Sequence, residues 1–402
     1  MNHSLPKLDS YMIFRIISIA RISKLYYTHI MINLDYASHT PANPTVLAEF
    51  CRIEQEFPAN VMAAHALGQK AMAEMTRITN GIANLLGVSP TEIIFTSGAS
   101  EANNLAIKGI AKAYAHVGKH ILSTCLEHPS VGGSLAALAL MGYEIELLKI
   151  LPNGEIDLGH LKTAIRQDTV LVCISSVDSE LGVIQPVAEI KKILENHPHC
   201  HLHIDAAQSV GKMNIPLNGA STFCFTPHKF YGLCGIGVLV KRANVVLEPL
   251  IHGGKSTTIY RSGTPTLALA AAALKALELA FAEMETRLEV VNNLRKSVLT
   301  SIQNAKVRIN SPADSSPYIL NISVTGIKGV DFQSALNRHG ICVSVKSACS
   351  TDNAPSRPVM AISRDKKNAI YSWRISFSHL TTVAEIDKFN NAFQEICKEF
   401  SL

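Results

Sequence analysis

The sequence predicts an α/β fold, a mainly parallel sheet covered by helices on both faces, followed by a smaller α+β unit. Three observations carry that prediction. From residue 92 onward, short β-rich runs alternate with longer segments of helical periodicity. Most of these runs lie far enough apart for helical crossovers, as parallel pairing requires. Apolar residues make up 47% of the 402-residue chain and charged ones 17%, so folding can bury enough surface to offset chain entropy.

The elements follow in order. EIIFT (92–96) is the first clear strand, and EANNLAIKGIAKAYA (101–115) the helix after it. ILST (121–124), EIELLKI (144–150) and VLVCISSV (170–177) are the next strands. VAEIKKILEN (187–196) is helical, and HLHID (201–205) returns to the sheet. FCFT (223–226) and GVLVK (237–241) are separated by a short glycine-containing connection, too short for a crossover helix, so this pair is expected to be antiparallel. A long alanine-rich helix, LALAAAALKALELAFAEM (267–284), leads into the final hundred residues. The expected division is an extension over 1–30, a large α/β domain over 31–285 and a small α+β domain over 286–402, with segment 31–44 packing on the small domain.

Composition narrows the function classes. The net charge of +5 comes from 37 basic and 32 acidic residues without a long one-sign run, which gives no electrostatic footprint for nucleic acid. Segment 11–30 is apolar but broken by Arg15, Arg21 and Lys24, so no membrane span is expected. It resembles a transit peptide or an interfacial helix, while Met31 makes an over-extended start at Met1 equally compatible. Nine scattered cysteines without a CxxC pair fit a reducing compartment. Cytoplasm is the expectation, with a mitochondrial matrix left open by residues 1–30. The histidines of HPHCHLH (197–203) read as ordinary loop and strand residues, and no metal site is expected.

Three segments carry chemistry. In TPHKFYGLCGIGVLV, Lys229 sits between a strand and a glycine-spaced turn, where a lysine beside a cleft can form a Schiff base with an aldehyde. In HIDAAQSVGK, Asp205 ends a strand, with Gln208 one turn later. A carboxylate at that edge can keep a pyridine nitrogen protonated. In FTSGASEANNLAIKG, a strand, a small-residue turn and a helix place backbone N–H groups where a phosphate can rest. Read locally, the same segment is a capped helix with Ser100 as N-cap. A phosphate cradle, a carboxylate and a lysine at edges of one sheet match the three ends of pyridoxal phosphate.

With these motifs in place, the chain resembles a cysteine desulfurase of the class V aminotransferase family, nearest the iron–sulfur-cluster type. The resemblance runs from Asn33 to about Phe393 through LDYASHTP, TSGASEANN, the EH of CLEHPSV, HIDAAQSVGK, TPHKFYG, RSGT (261–264), SACS (347–350) and WRISFSHLTT (373–382), in the family's order. It implies a fold-type I, pyridoxal-phosphate-dependent transferase with a seven-stranded sheet, acting as a homodimer on L-cysteine. It implies that Lys229 holds the cofactor, Asp205 its pyridine nitrogen and Gln208 its ring hydroxyl. Ala99, Ser100, Thr226 and His228 would hold the phosphate, with Thr264 reaching that of the neighbouring subunit. His128 would stack on the ring and act in proton transfer, and Arg374 would clamp the substrate carboxylate. Cys349 matches the family's sulfur acceptor, passing a persulfide to an acceptor or scaffold protein. The stretch STDNAPSRPVMAIS (350–363) after it reads as mobile.

Departures in four segments touch the substrate step. Ser179, in VDSELG (177–182), stands where the family has asparagine, and its shorter side chain is expected to reach its partners only through water. Asp178 adds a negative charge that should oppose a carboxylate substrate unless it points away. Lys255, Ser256 and Thr257 alter the 253–259 loop, and FPANVMAAH (57–65) replaces an Asn-Pro-Ser-Ser segment. Lys346 replaces a glycine before SACS and is expected to stiffen that loop or favour the Cys349 thiolate. Two alternatives stay open beside the desulfurase reading: selenocysteine lyase or another class V activity, and a cofactor-binding relative of weak activity.

Overall fold

A computed structural model describes residues 31–346 and 354–400. The described chain opens on a two-residue strand, β1 (Ile32–Asn33). The main sheet then takes seven strands: β2 (Ile93–Thr96), β3 (His120–Ser123), β4 (Glu144–Leu147), β5 (Thr169–Ser175), β6 (His201–Asp205), β7 (Thr222–Phe225) and β8 (Gly237–Lys241). Their order across the sheet is β2-β8-β7-β6-β5-β3-β4. β8 runs antiparallel to both its neighbours, and the remaining pairs are parallel. The expected antiparallel partner of β7 is therefore β8. Because only β8 is reversed, the carboxyl ends of β2 to β7 share one edge, where open α/β sheets bind ligands.

Two-sided covering explains the apolar runs. β5 is buried at all seven positions, as a central parallel strand must be. Its side chains alternate between cores: Leu171 and Cys173 pack with the helices Ala99–Ala113 and Pro129–Ala139. Val172 and Ile174 face the opposite core, which includes helices Ala66–Leu86, Val187–Leu194 and Leu267–Ala282. At the sheet edge, β4 exposes Glu144 and Leu147. Its charged residues blunt edge-to-edge pairing.

The alanine-rich helix ends at Ala282, and a second helix, Met284–Ser301, follows at once. The remaining strands are β9 (Val307–Ile309), β10 (Ile319–Val324), β11 (Ile341–Cys342) and β12 (Ser372–Ser376). β12, β10 and β9 form an antiparallel sheet, whereas β11 pairs with β1. Their core centres on the fully buried Trp373, stacked on Phe332 at 4.9 Å and flanked by Phe389 and Phe393. Leu34 and Ala37 belong to this core rather than to those of the main sheet. The first described residues are thereby anchored on the unit built by the last hundred.

One expectation about this unit is corrected. Residues 357–363 form a helix rather than mobile loop, because Ser356 Oγ accepts from the Val359 N–H and Pro358 occupies the first turn. Turn-forming residues also make good helix starts. Residues 1–30 and the SACS motif with Cys349 lie outside the described residues. Among the described residues, no helix is long and apolar enough to cross a membrane.

Candidate active site

A cavity of about 430 Å³ opens at the carboxyl edge of the main sheet. Its walls come from the segments after β2, β3, β5, β6 and β7, and from Ala37, Ser38 and Arg374 on the side of the smaller unit. That size suits a small organic ligand.

Lys229 stands at the end of the short 3-10 turn Pro227–Lys229 that leaves β7. Its Nζ donates to Ala37 O at 2.9 Å and Ser38 O at 2.7 Å. Burial, aided by the charge of Arg374, lowers its pKa from 10.5 to about 8. Hydrogen bonds and packing hold the turn against backbone strain. Tyr231 adopts a left-handed backbone with φ of 70°, a costly conformation for a bulky residue. Its N–H donates to Thr40 Oγ1 at 2.7 Å, its hydroxyl pairs with Ser378 Oγ at 2.6 Å, and Arg287 lies 5.0 Å from its ring centroid.

Asp205, at the end of β6, accepts from the Ala207 N–H at 3.0 Å and from Asn103 Nδ2 at 2.8 Å. Asn103 is fully buried and joins two functional groups. Its Nδ2 also donates to Ser130 Oγ at 2.9 Å, and that hydroxyl pairs with His128 Nδ1 at 2.8 Å. The Ser130 N–H donates to the same nitrogen at 3.1 Å, so His128 Nδ1 is the acceptor and its proton resides on Nε2. Burial lowers the His128 pKa, favouring the neutral ring. Asn103 Oδ1 accepts from His203 Nε2 at 2.9 Å, and His203 is pushed down to about 4 by burial. Glu127, beside His128, accepts from Thr124 Oγ1 at 2.7 Å and Ser175 Oγ at 2.6 Å. Burial raises its pKa to about 7.

The phosphate-cradle candidate differs from expectation at its cap. The N-cap of helix 99–113 is Gly98, not Ser100, and no side chain caps it. The cause is the pairing of Thr96 with Gly237, which brings Gly98 against Gly237 so closely that a Cβ there would meet Gly98 carbon at 2.5 Å. The helix therefore starts at once, and Ser100 lies in its first turn. An uncapped first turn leaves backbone N–H groups for an anion. Thr226 Oγ1 donates to Ile236 O at 2.9 Å and so accepts from His228 Nδ1, also at 2.9 Å.

The remaining predicted residues divide. Gln208 reaches the cavity, with Nε2 donating to Ala37 O at 3.0 Å and Oε1 accepting from Lys212 Nζ at 2.8 Å. Arg374 also lines it but is already engaged. It donates to Ser179 O at 2.7 Å, Asp35 Oδ1 at 2.7 Å and Ser38 Oγ at 2.8 Å. Asp178 does not line the cavity; its Oδ2 accepts the Glu180 and Leu181 N–H groups, and burial raises its pKa to about 7. Its side chain is thus turned into the local backbone. Thr264 is exposed and does not line this cavity. Lys346 Nζ donates to Ala354 O at 2.6 Å, tying together the two flanks of residues 347–353.

Asn103, Glu127, Lys212 and Asp35 lie within the quoted motifs, yet sequence reasoning gave none of them a role in the site. Asn103 had one signal, an amide among Ala102, Leu105 and Ala106 on a buried helix stripe. The donor set fits pyridoxal phosphate: uncapped amides and Ser100 for an anion, a fixed carboxylate for a ring nitrogen, and an amine of lowered pKa for an aldehyde.

The sequence model of the Aminotransferase class-V family matches residues 32–389. A NifS/IcsS protein homolog of Lactobacillus delbrueckii subsp. bulgaricus is 34% identical over 378 residues, covering 92% of this chain and 98% of that one. The cysteine desulfurase IscS of Dictyoglomus turgidum is 33% identical over 374 residues, covering 91% and 94%. A solved structure of a NifS-like protein superposes with a TM-score of 0.86 at 29% identity, over 92% of this chain and 99% of the other.

Proposed function

This chain belongs to the aminotransferase class-V family, and from that premise we propose that it is a pyridoxal-phosphate-dependent cysteine desulfurase. The observation that carries the proposal is one cavity holding the Lys229 amine, the Asp205 carboxylate and the uncapped start of helix 99–113. Lys229 would hold the cofactor, Asp205 its ring nitrogen and Gln208 its ring hydroxyl. Ala99 and Ser100 would hold its phosphate, joined by His228 in the tautomer that carries its proton on Nε2, with Thr226 then donating to the ring's Nδ1. When bound, pyridoxal phosphate supplies an electron sink for charge developing at the substrate α-carbon.

The chain's own groups do the rest. Lys229, with a pKa of about 8, keeps a free lone pair on a sizeable fraction of molecules near neutral pH and serves as the base. His128 presents its Nε2 proton, while Ser130 and Asn103 fix its ring relative to Asp205. Arg374 binds the substrate carboxylate in competition with Asp35, already 2.7 Å away. Cys349 receives the substrate sulfur. In balance, L-cysteine and the enzyme thiol give L-alanine and an enzyme persulfide, which an acceptor or scaffold protein collects.

A homodimer completes the proposal. Thr264 and the 72% exposed Ile259 lie on a surface that a second copy would cover, with Thr264 reaching its phosphate. A reducing compartment such as the cytoplasm fits the described cysteines, all of which are free.

Purified chain loaded with cofactor and given L-cysteine and a reductant should release alanine and sulfide in equal amounts. Bound cofactor with neither product formed would refute the desulfurase reading.

A further inference from the structure

Two residues that line the cavity, His228 within the Pro227–Lys229 turn and Cys234 shortly after it, are joined by His39 from the segment after β1. Their ligand atoms all lie within 4.8 Å of one another. We propose that His39, His228 and Cys234 form a site for a soft divalent cation of the zinc type.

The geometry is close to what such an ion requires. Zinc binds thiolate sulfur at about 2.3 Å and imidazole nitrogen at about 2.0–2.1 Å, so tetrahedral ligands stand roughly 3.3–3.6 Å apart. Cys234 Sγ already lies 3.7 Å from His39 Nδ1. His39 and Cys234 are exposed, so rotating them to close the remaining gap disturbs no core packing. His39 and His228 also stack, with ring centroids 5.6 Å apart.

His228 is prepared as a ligand. Its Nδ1–H is committed to Thr226 Oγ1, whose own proton goes to Ile236 O. That leaves Nε2 as the lone-pair nitrogen, the arrangement in which a second partner fixes tautomer and ring orientation for a metal. One thiolate and two imidazoles select zinc, cobalt or copper over magnesium and calcium. Three protein ligands leave the fourth position open to water or a small thiol.

The site shares His228 with the proposed phosphate cradle, and in this one respect it rests on that reading. A cation held there opposes cofactor loading and blocks the approach to Lys229. The chain thus carries an off-state that a thiol-binding metal stabilises.

The probe is Co²⁺, titrated anaerobically into the reduced, chelator-treated full chain, both cofactor-free and cofactor-loaded. The expected result in the cofactor-free chain is one Co²⁺ per chain, with visible ligand-field bands of a four-coordinate ion and a thiolate charge-transfer band, all bleached by Zn²⁺. Because loss of a second-shell partner alone costs about 10–100-fold in affinity, Cys234→Ser and His39→Ala should each weaken binding at least ~10-fold at unchanged melting temperature. Cys349→Ser and His199→Ala should leave it intact. Absence of the bands, or unchanged affinity in Cys234→Ser, overturns the site, as does loss of binding in Cys349→Ser. The loaded chain should bind Co²⁺ more weakly; equal affinity in both forms overturns the sharing of His228. These spectra do not depend on turnover, so their failure is distinguishable from failure of the desulfurase reading.

Discussion

Replacing Asp35 by Asn probes the competition at Arg374. The Arg374 guanidinium is 2% exposed and sits 2.7 Å from Asp35 Oδ1, whose side chain is 26% exposed. Asparagine keeps an acceptor in the same place and removes the charge. Both side chains accept from the charged guanidinium, so the substitution removes only the carboxylate's charge; for a carboxylate this exposed facing a buried guanidinium, the rival for Arg374 weakens by about 1–1.5 kcal/mol, between the ~1 of surface pairs and the ~3–5 of fully buried ones. At about 1.4 kcal/mol per factor of ten, a ligand carboxylate then binds roughly tenfold more tightly. The fold itself should lose on the order of 1–3 kcal/mol, because Arg374 keeps a buried charge without its full counter-charge. The assay is titration of cofactor-loaded wild type and Asp35→Asn with L-alanine and with ethylamine, which differ by the carboxylate. L-alanine should tighten about tenfold and ethylamine should not change. Equal shifts for both ligands, or weaker L-alanine binding, would refute the assignment of Arg374 as the carboxylate clamp.

Three further outcomes are expected. Lys229→Ala should retain no cofactor through gel filtration, and cofactor capture by the cofactor-free wild type should quicken with pH and level off just above 8 rather than near 10.5. Levelling near 10.5 would contradict the lowered pKa. Glu127, with a folded pKa of about 7 against an ordinary 4.5, holds its proton more tightly when folded. Its contribution is full below about 4.5 and is lost as pH rises through 7. Glu127→Gln should therefore gain on the order of 3 kcal/mol relative to wild type between pH 4.5 and 8. Urea melts at the two pH values measure this, and a constant gap would refute it. Cys349→Ser should keep the cofactor spectrum and lose persulfide formation, read by mass spectrometry after cysteine is added; persulfide at the wild-type level would show another acceptor.

Much of the fold was legible because a parallel sheet buried on both faces writes itself as apolar runs at crossover spacing. The antiparallel pair β7–β8 was readable from the length of its connection alone. Lys229 and Asp205 could be placed at strand ends for the same reason. What stayed hidden depends on contacts between distant segments. Asn103 joins His128 to Asp205 only because β3, β6 and helix 99–113 meet. Ser100 satisfies every local rule for an N-cap, yet the contact of Gly98 with Gly237 starts the helix earlier. The break at Glu283 has no glycine or proline to announce it. His39, His228 and Cys234 show no metal-ligand spacing, since His228 lies within the Lys229 turn, Cys234 shortly after it, and His39 arrives from the start of the described chain.

The most direct test of the central claim is borohydride reduction of the cofactor-loaded chain, followed by peptide mass mapping. The peptide containing Lys229 should gain the mass of reduced pyridoxal phosphate, and Lys229→Ala should show no such gain. A tag on another lysine, or none at all, would contradict the account.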